Sequence, residues 1–152
     1  MMKKRLTSLA LSAMMVLSMV PATAFAAKDA GTPPTYNSAT GCYEISTPAQ
    51  LLYLAGKWKD GAPRDGHYVL TADIDMTGVK GFKPIASKKD QGFTGTFDGQ
   101  FHSIKGLRVE YEKKYAGLFG YVGNQDDQAY IKNVALLDCY VTGQQNVGAL
   151  AG

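Results

Sequence analysis

Residues 115–120 read YAGLFG, and residues 147–152 read VGALAG. Both segments are short apolar runs studded with glycine, and their last glycines are 32 positions apart. A second echo joins residues 104–109 (IKGLRV) to residues 131–136 (IKNVAL). Short strands that recur at a fixed period are typical of a solenoid or another repeat array. The sequence therefore predicts an all-β repeat architecture.

The segments before these echoes also show the pattern of short strands, with one helix ahead of them. Apolar and polar residues alternate in residues 67–76 (HYVLTADIDM) and in residues 91–98 (QGFTGTFD), as expected where residues i and i+2 share one face of a strand. The helix begins with Thr47 as its N-cap and Pro48 at its first position. Gln50, three residues after Thr47, completes a capping box.

Several ordered motifs carry a family resemblance that covers about residues 42–152. Residues 93–104 (FTGTFDGQFHSI) resemble the F-x-G-x-F-D-G-x-x-H-x-I signature of secreted bacterial GLUG-motif proteins. Residues 72–76 (ADIDM) are similar to the strand before it, and residues 116–120 (AGLFG) to the motif that names these proteins. The residues that the resemblance marks as structural are Asp73, Asp75, Phe93, Gly95, Phe97, Asp98, Gly99, His102, Gly117, Leu118, Phe119 and Gly120.

The resemblance implies a right-handed parallel β-helix, a solenoid, whose first coil is covered by the N-terminal helix. Such regions occur in large surface proteins and ahead of the catalytic domain of the immunoglobulin A metallopeptidase family. Residues 147–152 resemble a second copy of the naming motif but depart from it, because Ala149 and Ala151 stand where bulkier residues are usual. The last coil is the least well matched part of the chain.

The first 26 residues have the pattern of a signal peptide. A basic start, Lys3-Lys4-Arg5, precedes an apolar run, and Ala24 and Ala26 fit the small-x-small cleavage pattern. The run of about 15 residues is shorter than the roughly 20 that span a bilayer. We expect a secreted or cell-surface protein without a membrane span. The expected organisation is a signal peptide at 1–26, a flexible leader at 27–41 and a β-helix at 42–152 that continues into downstream domains of the same chain.

The charge of the chain gives no support to nucleic-acid binding. The formal net charge is +3 at pH 7, from 16 Lys and Arg against 13 Asp and Glu. The whole excess lies in the predicted signal peptide, so the remainder is neutral. Large basic patches attract nucleic acid, and none is expected here.

Three carboxylate patterns allow a chemical or a structural reading. Asp73 and Asp75 share one strand face, where they could hold Ca²⁺ or bond to turns. Asp98 and His102 could form an acid–base pair or hold a turn through side-chain hydrogen bonds. The pair at 126–127 invites comparison with β-helix enzymes that act on pectin, although its polar surroundings favour an exposed loop. We favour the structural reading in each case and predict no catalytic residue.

The cysteines and histidines match no known metal or cofactor motif. There is no His-Glu-x-x-His sequence and no Gly-x-Gly-x-x-Gly phosphate loop, so we predict no cofactor. In a β-helix, Cys42 and Cys139 would be separated by several coils. That separation exceeds the roughly 7 Å that a disulfide allows between Cα atoms. We therefore expect two free, buried thiols.

Aromatic side chains are the candidates for ligand contact. Tyr111 and Tyr115 flank charged residues in a predicted loop, and Trp58 closes the predicted helix. Such rings stack on sugars or grip proteins, so these three are the tentative ligand contacts. The sequence favours a non-catalytic module for adhesion, ligand display or spacing, which binds a surface glycan or a host protein. Two alternatives are the entry domain of an immunoglobulin A-type zinc metallopeptidase and a polysaccharide-active β-helix enzyme.

Overall fold

The computed structural model describes residues 31–56 and 62–152. The predicted signal peptide, with Ala24 and Ala26, lies outside the described residues, as does Trp58. Most of the described elements are very short strands. In chain order they are β1 (Thr35–Asn37), β2 (Cys42–Ile45), α1 (Pro48–Gly56), β3 (His67–Leu70), β4 (Ile74–Asp75), a 3-10 turn (Lys89–Gln91), β5 (Thr96–Asp98), β6 (Ser103–Lys105), β7 (Arg108–Ala116), β8 (Tyr130–Lys132), β9 (Ala135–Leu137) and β10 (Tyr140–Val147).

The strands form three sheets. Their orders are β1-β2-β3-β5-β8, β4-β6-β9 and β7-β10. The pairing of β1 with β2 is antiparallel, and the other strand pairs are parallel. Parallel partners come from successive parts of the chain, as Ile74 pairs with Ile104 and Ile104 with Leu136. Residues of like character therefore lie side by side across each parallel sheet.

The expected right-handed parallel β-helix is wrong as a description of the architecture. The described residues form mixed sheets, in which an antiparallel pair adjoins parallel ones, and the strands vary from two residues in β4 to nine in β7. The antiparallel pair arises because the chain reverses within a few residues. The N–H of Gly41 donates to the carbonyl of Asn37 at 2.8 Å, with Gly41 at φ 69°. Such a hairpin needs only a tight turn, whereas a parallel pair needs a long crossover.

The hairpin also changes the picture of the segment before residue 42. Thr35–Asn37 forms β1 and pairs with residues 42–44 of β2. The Asn37 side chain donates a hydrogen bond to the Glu44 carboxylate at 2.8 Å. Strand structure thus begins inside the segment 27–41, for which the sequence predicts a flexible leader.

The predicted helix and its capping box are confirmed. α1 begins at Pro48, and the N–H of Gln50 donates to Thr47 Oγ1 at 3.3 Å. In return, Gln50 Oε1 accepts from the N–H of Thr47 at 3.2 Å and from the N–H of Ser46 at 2.8 Å. Gln50 is itself buried. Its amide therefore satisfies backbone donors that would otherwise lie unpaired at the start of the helix.

Aromatic rings from successive segments of the chain form a column that begins at the exposed Tyr36 and the half-buried Tyr43 and ends in the core. We call this set, Tyr36, Tyr43, Tyr68, Phe93 and Phe119, the ring column. Neighbouring ring centroids lie 5.0 to 6.1 Å apart, and Phe97 adds an edge-to-face contact with Phe119 at 5.4 Å. These separations lie within the range in which aromatic pairs attract beyond simple burial.

Aliphatic side chains fill the rest of the core. Ile74 and Ile104, which are partners across two strands, are fully buried, and Leu136 on the next strand is half-buried. The helix contributes Leu51 and Leu54 to the same cluster. The alternation that the sequence shows in residues 67–76 is confirmed, since Tyr68, Leu70, Ile74 and Met76 are all buried.

The two cysteines are free, and neither is deeply buried. Cys42 and Cys139 are both half-buried rather than enclosed, which corrects the expectation of buried thiols. Partial burial raises the pKa of the Cys139 thiol above its ordinary value. The thiol is therefore less reactive at neutral pH than an exposed cysteine.

Truncation of Phe97 tests how much the buried rings contribute to stability. Phe97 is fully buried, and we expect Phe97→Ala to lower the free energy of unfolding by about 3–5 kcal/mol. Phe101→Ala is a matched control, because that side chain is 87% exposed; its effect should stay within about 0.5 kcal/mol. Urea denaturation followed by circular dichroism measures both. Equal losses in the two variants would contradict the assigned core.

Candidate functional site

Asp73 links two neighbouring corners of the chain. Its Oδ1 accepts hydrogen bonds from the N–H of Ser103 at 2.7 Å and from Ser103 Oγ at 3.1 Å, thirty residues away in sequence. The Nδ1 atom of His102 lies 3.5 Å from the same oxygen. The backbone hydrogen bond from Ser103 is the largest cause of a lowered pKa of Asp73. The carboxylate is engaged in holding the chain, as the structural reading of the sequence expects.

Asp98 holds the turn that follows β5. Its Oδ1 accepts from the N–H of Gln100 at 2.9 Å and from Asn133 Nδ2 at 3.1 Å, while Lys132 Nζ lies 3.3 Å from Oδ2. The hydrogen bond from Gln100 is the largest cause of a lowered pKa of Asp98. The His102 ring lies beside Asp73. The acid–base alternative in the sequence paired His102 with Asp98 instead.

The turn that Asp98 supports has an unfavourable backbone. Gln100 and Phe101 have φ angles of 45° and 64°, in the left-handed region that side chains other than glycine seldom occupy. The N–H of His102 closes the turn on the carbonyl of Gly99 at 2.8 Å. The hydrogen bonds of Asp98 therefore offset a conformational cost.

Asp75 is engaged in its own turn, in hydrogen bonds separate from those of Asp73. Its Oδ1 accepts from the N–H of Thr77 at 2.9 Å. Hydrogen bonding from Thr77, first by its side chain and then by its backbone, lowers the pKa of Asp75. Within residues 31–56 and 62–152, no three His, Cys, Asp or Glu side chains lie close enough together to hold a metal ion.

The remaining motif residues lie in the core or at close backbone approaches. Phe93, Phe97, Leu118 and Phe119 are buried apolar side chains. A Cβ on Gly99 would overlap the carbonyl of Asn133, and one on Gly95 would overlap that of Gly66. Gly117 and Gly120 also face nearby backbone, which a Cβ would meet at 2.6 Å and 2.7 Å.

The tentative aromatic contacts lie on a strand and not in the predicted loop. Tyr111 and Tyr115 both belong to β7, and each is half-buried. Tyr111 borders an open groove of about 810 Å³ that is lined by residues of β7 and β10. Tyr115 packs edge-to-face on Tyr121, with ring centroids 5.4 Å apart. Of the two, Tyr111 borders a surface that a ligand can reach.

A second and larger concavity lies where three loops meet. We call it the polar cleft; its volume is about 940 Å³. It lies between the turn at residues 62–65, the segment around Gln91 and Thr94, and the loop at residues 124–128, with Tyr43 at one side. The exposed loop that the sequence predicts around residues 126–127 is confirmed. Its meeting with the other two segments could not be read from the sequence.

Hydrogen bonds hold the segments of the polar cleft in place. The N–H of Thr94 donates to the carbonyl of Arg64 at 2.9 Å, and the N–H of Gly123 donates to the carbonyl of Phe93 at 2.6 Å. Within the loop, Asn124 Oδ1 accepts from the N–H groups of Asp126 and Asp127 at 2.7 and 2.6 Å. The loop is therefore shaped by its own side chain before any ligand is present.

Comparison with known proteins gives one informative match. The chain is 34% identical over 127 residues to halomucin from Haloquadratum walsbyi (strain DSM 16790 / HBSQ001), an alignment that covers 74% of this chain. The chain spans about 1% of the length of halomucin. No protein-family model matches the sequence, and no solved structure matches the fold. The resemblance to GLUG-motif proteins therefore stays a prediction.

None of the helices within residues 31–56 and 62–152 is long and apolar enough to cross a membrane.

The role of Asp98 predicts a pH-dependent loss of stability. Since folding lowers the pKa of Asp98, its contribution is complete above the unfolded pKa of about 3.9 and is lost as the pH falls through the folded pKa. We expect Asp98→Asn to be less stable than the natural chain at pH 7, with a difference that shrinks below about pH 4. Melting temperatures across this range measure it.

Asp126→Asn is the matched control for this experiment. The Asp126 carboxylate has no hydrogen-bond or ion-pair partner among the described residues. Its replacement should leave the melting temperature nearly unchanged at each pH. A constant difference between Asp98→Asn and the natural chain at all pH values would show that the charge of Asp98 does not contribute.

The close approach at Gly99 predicts a second effect on stability. Gly99→Ala places a Cβ against the backbone of residues 133 and 134, which must shift. We expect a loss of about 1–3 kcal/mol in the free energy of unfolding. Gly56→Ala, where a Cβ meets nothing within 4 Å, should be neutral or stabilising. Chemical denaturation of both variants checks this, and a neutral Gly99→Ala would refute the close approach.

Proposed function

We propose that this chain is a non-catalytic secreted or cell-surface module, which serves adhesion, ligand display or spacing within a larger bacterial surface protein. The observation that carries the proposal is the likeness to halomucin, a large surface or secreted protein, over 74% of this chain. Since the match spans about 1% of halomucin, it supports a role as one small part of a long protein.

The use of the carboxylates supports a non-catalytic role. Asp73, Asp75 and Asp98 all accept hydrogen bonds at turns of the chain, and these bonds lower the pKa of each carboxyl. A general acid that works near neutral pH needs its pKa shifted upward. These three carboxylates are shifted in the opposite direction, so each is suited to hold a turn.

The surface supports contact with a glycan or a host protein. The polar cleft and the groove beside Tyr111 are both open and are bordered by hydrogen-bonding side chains. Both lie on scaffolds whose backbones are fixed by strand pairing or by loop hydrogen bonds. A rigid scaffold that presents polar loops is a common arrangement for binding modules.

Export and binding without turnover test the proposal. We expect the full chain, produced in a bacterial host, to be exported with cleavage after Ala26. We further expect the exported protein to bind glycans or host extracellular proteins on a surface and to release no cleavage product from either. The measurements are N-terminal sequencing, surface binding and mass spectrometry of the incubated ligands.

Two results would overturn the proposal. One is retention of the chain inside the cell with residues 1–26 intact. The other is hydrolysis of a polysaccharide by the purified chain, which would favour the enzymatic alternative. Tyr111→Ala, with Tyr140→Ala as a control at an exposed tyrosine that lines neither concavity, then asks whether the groove beside Tyr111 contributes to binding.

A further inference from the structure

The chemistry of the polar cleft restricts the class of ligand that it can accept. Among its described lining residues, all but Ala62, Pro63 and Tyr43 are charged or hydrogen-bonding. Sites for lipids and other apolar molecules are lined mainly by hydrophobic side chains. A volume of about 940 Å³ is large enough for several sugar units or a short peptide. The lining favours a ligand rich in hydroxyl groups.

The cleft offers both donors and acceptors. The amides of Gln91 and Gln128 each donate and accept, and the hydroxyl of Thr94 does the same. The Arg64 guanidinium only donates, and the carboxylates only accept. A sugar hydroxyl also donates and accepts, so it can bond to every one of these groups. Tyr43 adds an apolar surface at one side of the cleft.

The charge of the cleft separates neutral from acidic ligands. Among the residues that the structure describes, three carboxylates, of Asp65, Asp126 and Asp127, line it together with one guanidinium, that of Arg64. Asp65 and Asp126 have no hydrogen-bond or ion-pair partner among the described residues, so both carboxylates are available to a ligand. Like charges that face each other without compensation are unfavourable. Uronic and sialic acids would therefore be repelled.

The cleft is also ordered before binding. Asn124 Nδ2 donates to Asp127 Oδ2 at 2.9 Å, in addition to the two backbone bonds that Asn124 Oδ1 accepts. On the opposite side, the Tyr68 hydroxyl donates to the carbonyl of Pro63 at 2.8 Å. Ordering a loop on binding weakens affinity, so loops that are fixed in advance favour it.

We propose that the polar cleft binds neutral oligosaccharides and excludes acidic ones. This inference rests on the proposed binding function and names its ligand class. Asp65 and Asp126 accept hydrogen bonds from sugar hydroxyls, while Gln91 and Gln128 contribute bonds of both kinds. The Asp127 carboxylate accepts a hydrogen bond from Asn124 and in this way helps to fix the shape of the loop.

Paired neutral and acidic glycans test the proposal. The probes are lacto-N-tetraose with its sialylated form, and cellohexaose with hexagalacturonate, each titrated into the full chain by calorimetry. We expect binding of at least one neutral member and no binding of its acidic counterpart. Asp65→Asn/Asp126→Asn should weaken neutral binding about tenfold, because hydrogen bonds to a charged acceptor are stronger. The same variant should reduce the discrimination against the acidic member.

Asp138→Asn is the matched control, since it removes one exposed carboxylate outside the cleft. It should leave both neutral binding and discrimination unchanged. Circular dichroism of each variant checks that the fold is intact. The inference is overturned if acidic glycans bind as tightly as neutral ones, or if Asp65→Asn/Asp126→Asn behaves like Asp138→Asn.

The failure of this inference can be told apart from failure of the proposed function. Surface binding to host proteins alone, with no glycan bound in solution, overturns the neutral-glycan inference and leaves the binding module standing. Cleavage of any probe overturns the proposed function itself.

Discussion

The contact on which the rest of the structure depends is the stacking of Tyr68 in the ring column. Tyr68 is almost fully buried, with Tyr43 at 5.2 Å on one side and Phe93 at 6.1 Å on the other. Burial raises the pKa of its hydroxyl, which therefore stays protonated and donates to the carbonyl of Pro63 at 2.8 Å. One side chain thus fixes the register of neighbouring strands and anchors one side of the polar cleft.

The positions of the bends between strands depend on the same strand register. Because the parallel strands are short, the chain must bend soon after each one, and several bends pass through left-handed backbone at Gln100, Phe101 and Asn133. Asp98 accepts hydrogen bonds from both Gln100 and Asn133, so one carboxylate braces two successive corners. Those bonds explain how the aspartate of this motif stabilises two neighbouring turns of the chain.

The sequence predicts the parts of the fold that depend on neighbouring residues. The capping box of α1 and the buried alternation of Tyr68, Leu70 and Ile74 are local patterns, and both are confirmed. The uniform parallel helix is wrong because the hairpin of β1 and β2 depends on a turn in a segment that looks structureless by composition. Likewise, β7 extends through a charged stretch that reads as a loop, because its pairing with β10 is a long-range contact that composition does not report.

The polar cleft is a further feature that depends on long-range contacts and that the sequence alone does not predict. Arg64, Gln91 and Asp126 belong to distant parts of the chain, and none has a local motif that marks it as a ligand contact. They meet because Thr94 bonds to the carbonyl of Arg64 and Gly123 to that of Phe93, which are consequences of strand register. Since buried rings set that register, substitutions in the exposed loops can leave the core unchanged. A scaffold of this kind allows ligand preference to change through the charge of a few loop residues without altering the contacts that hold the fold together.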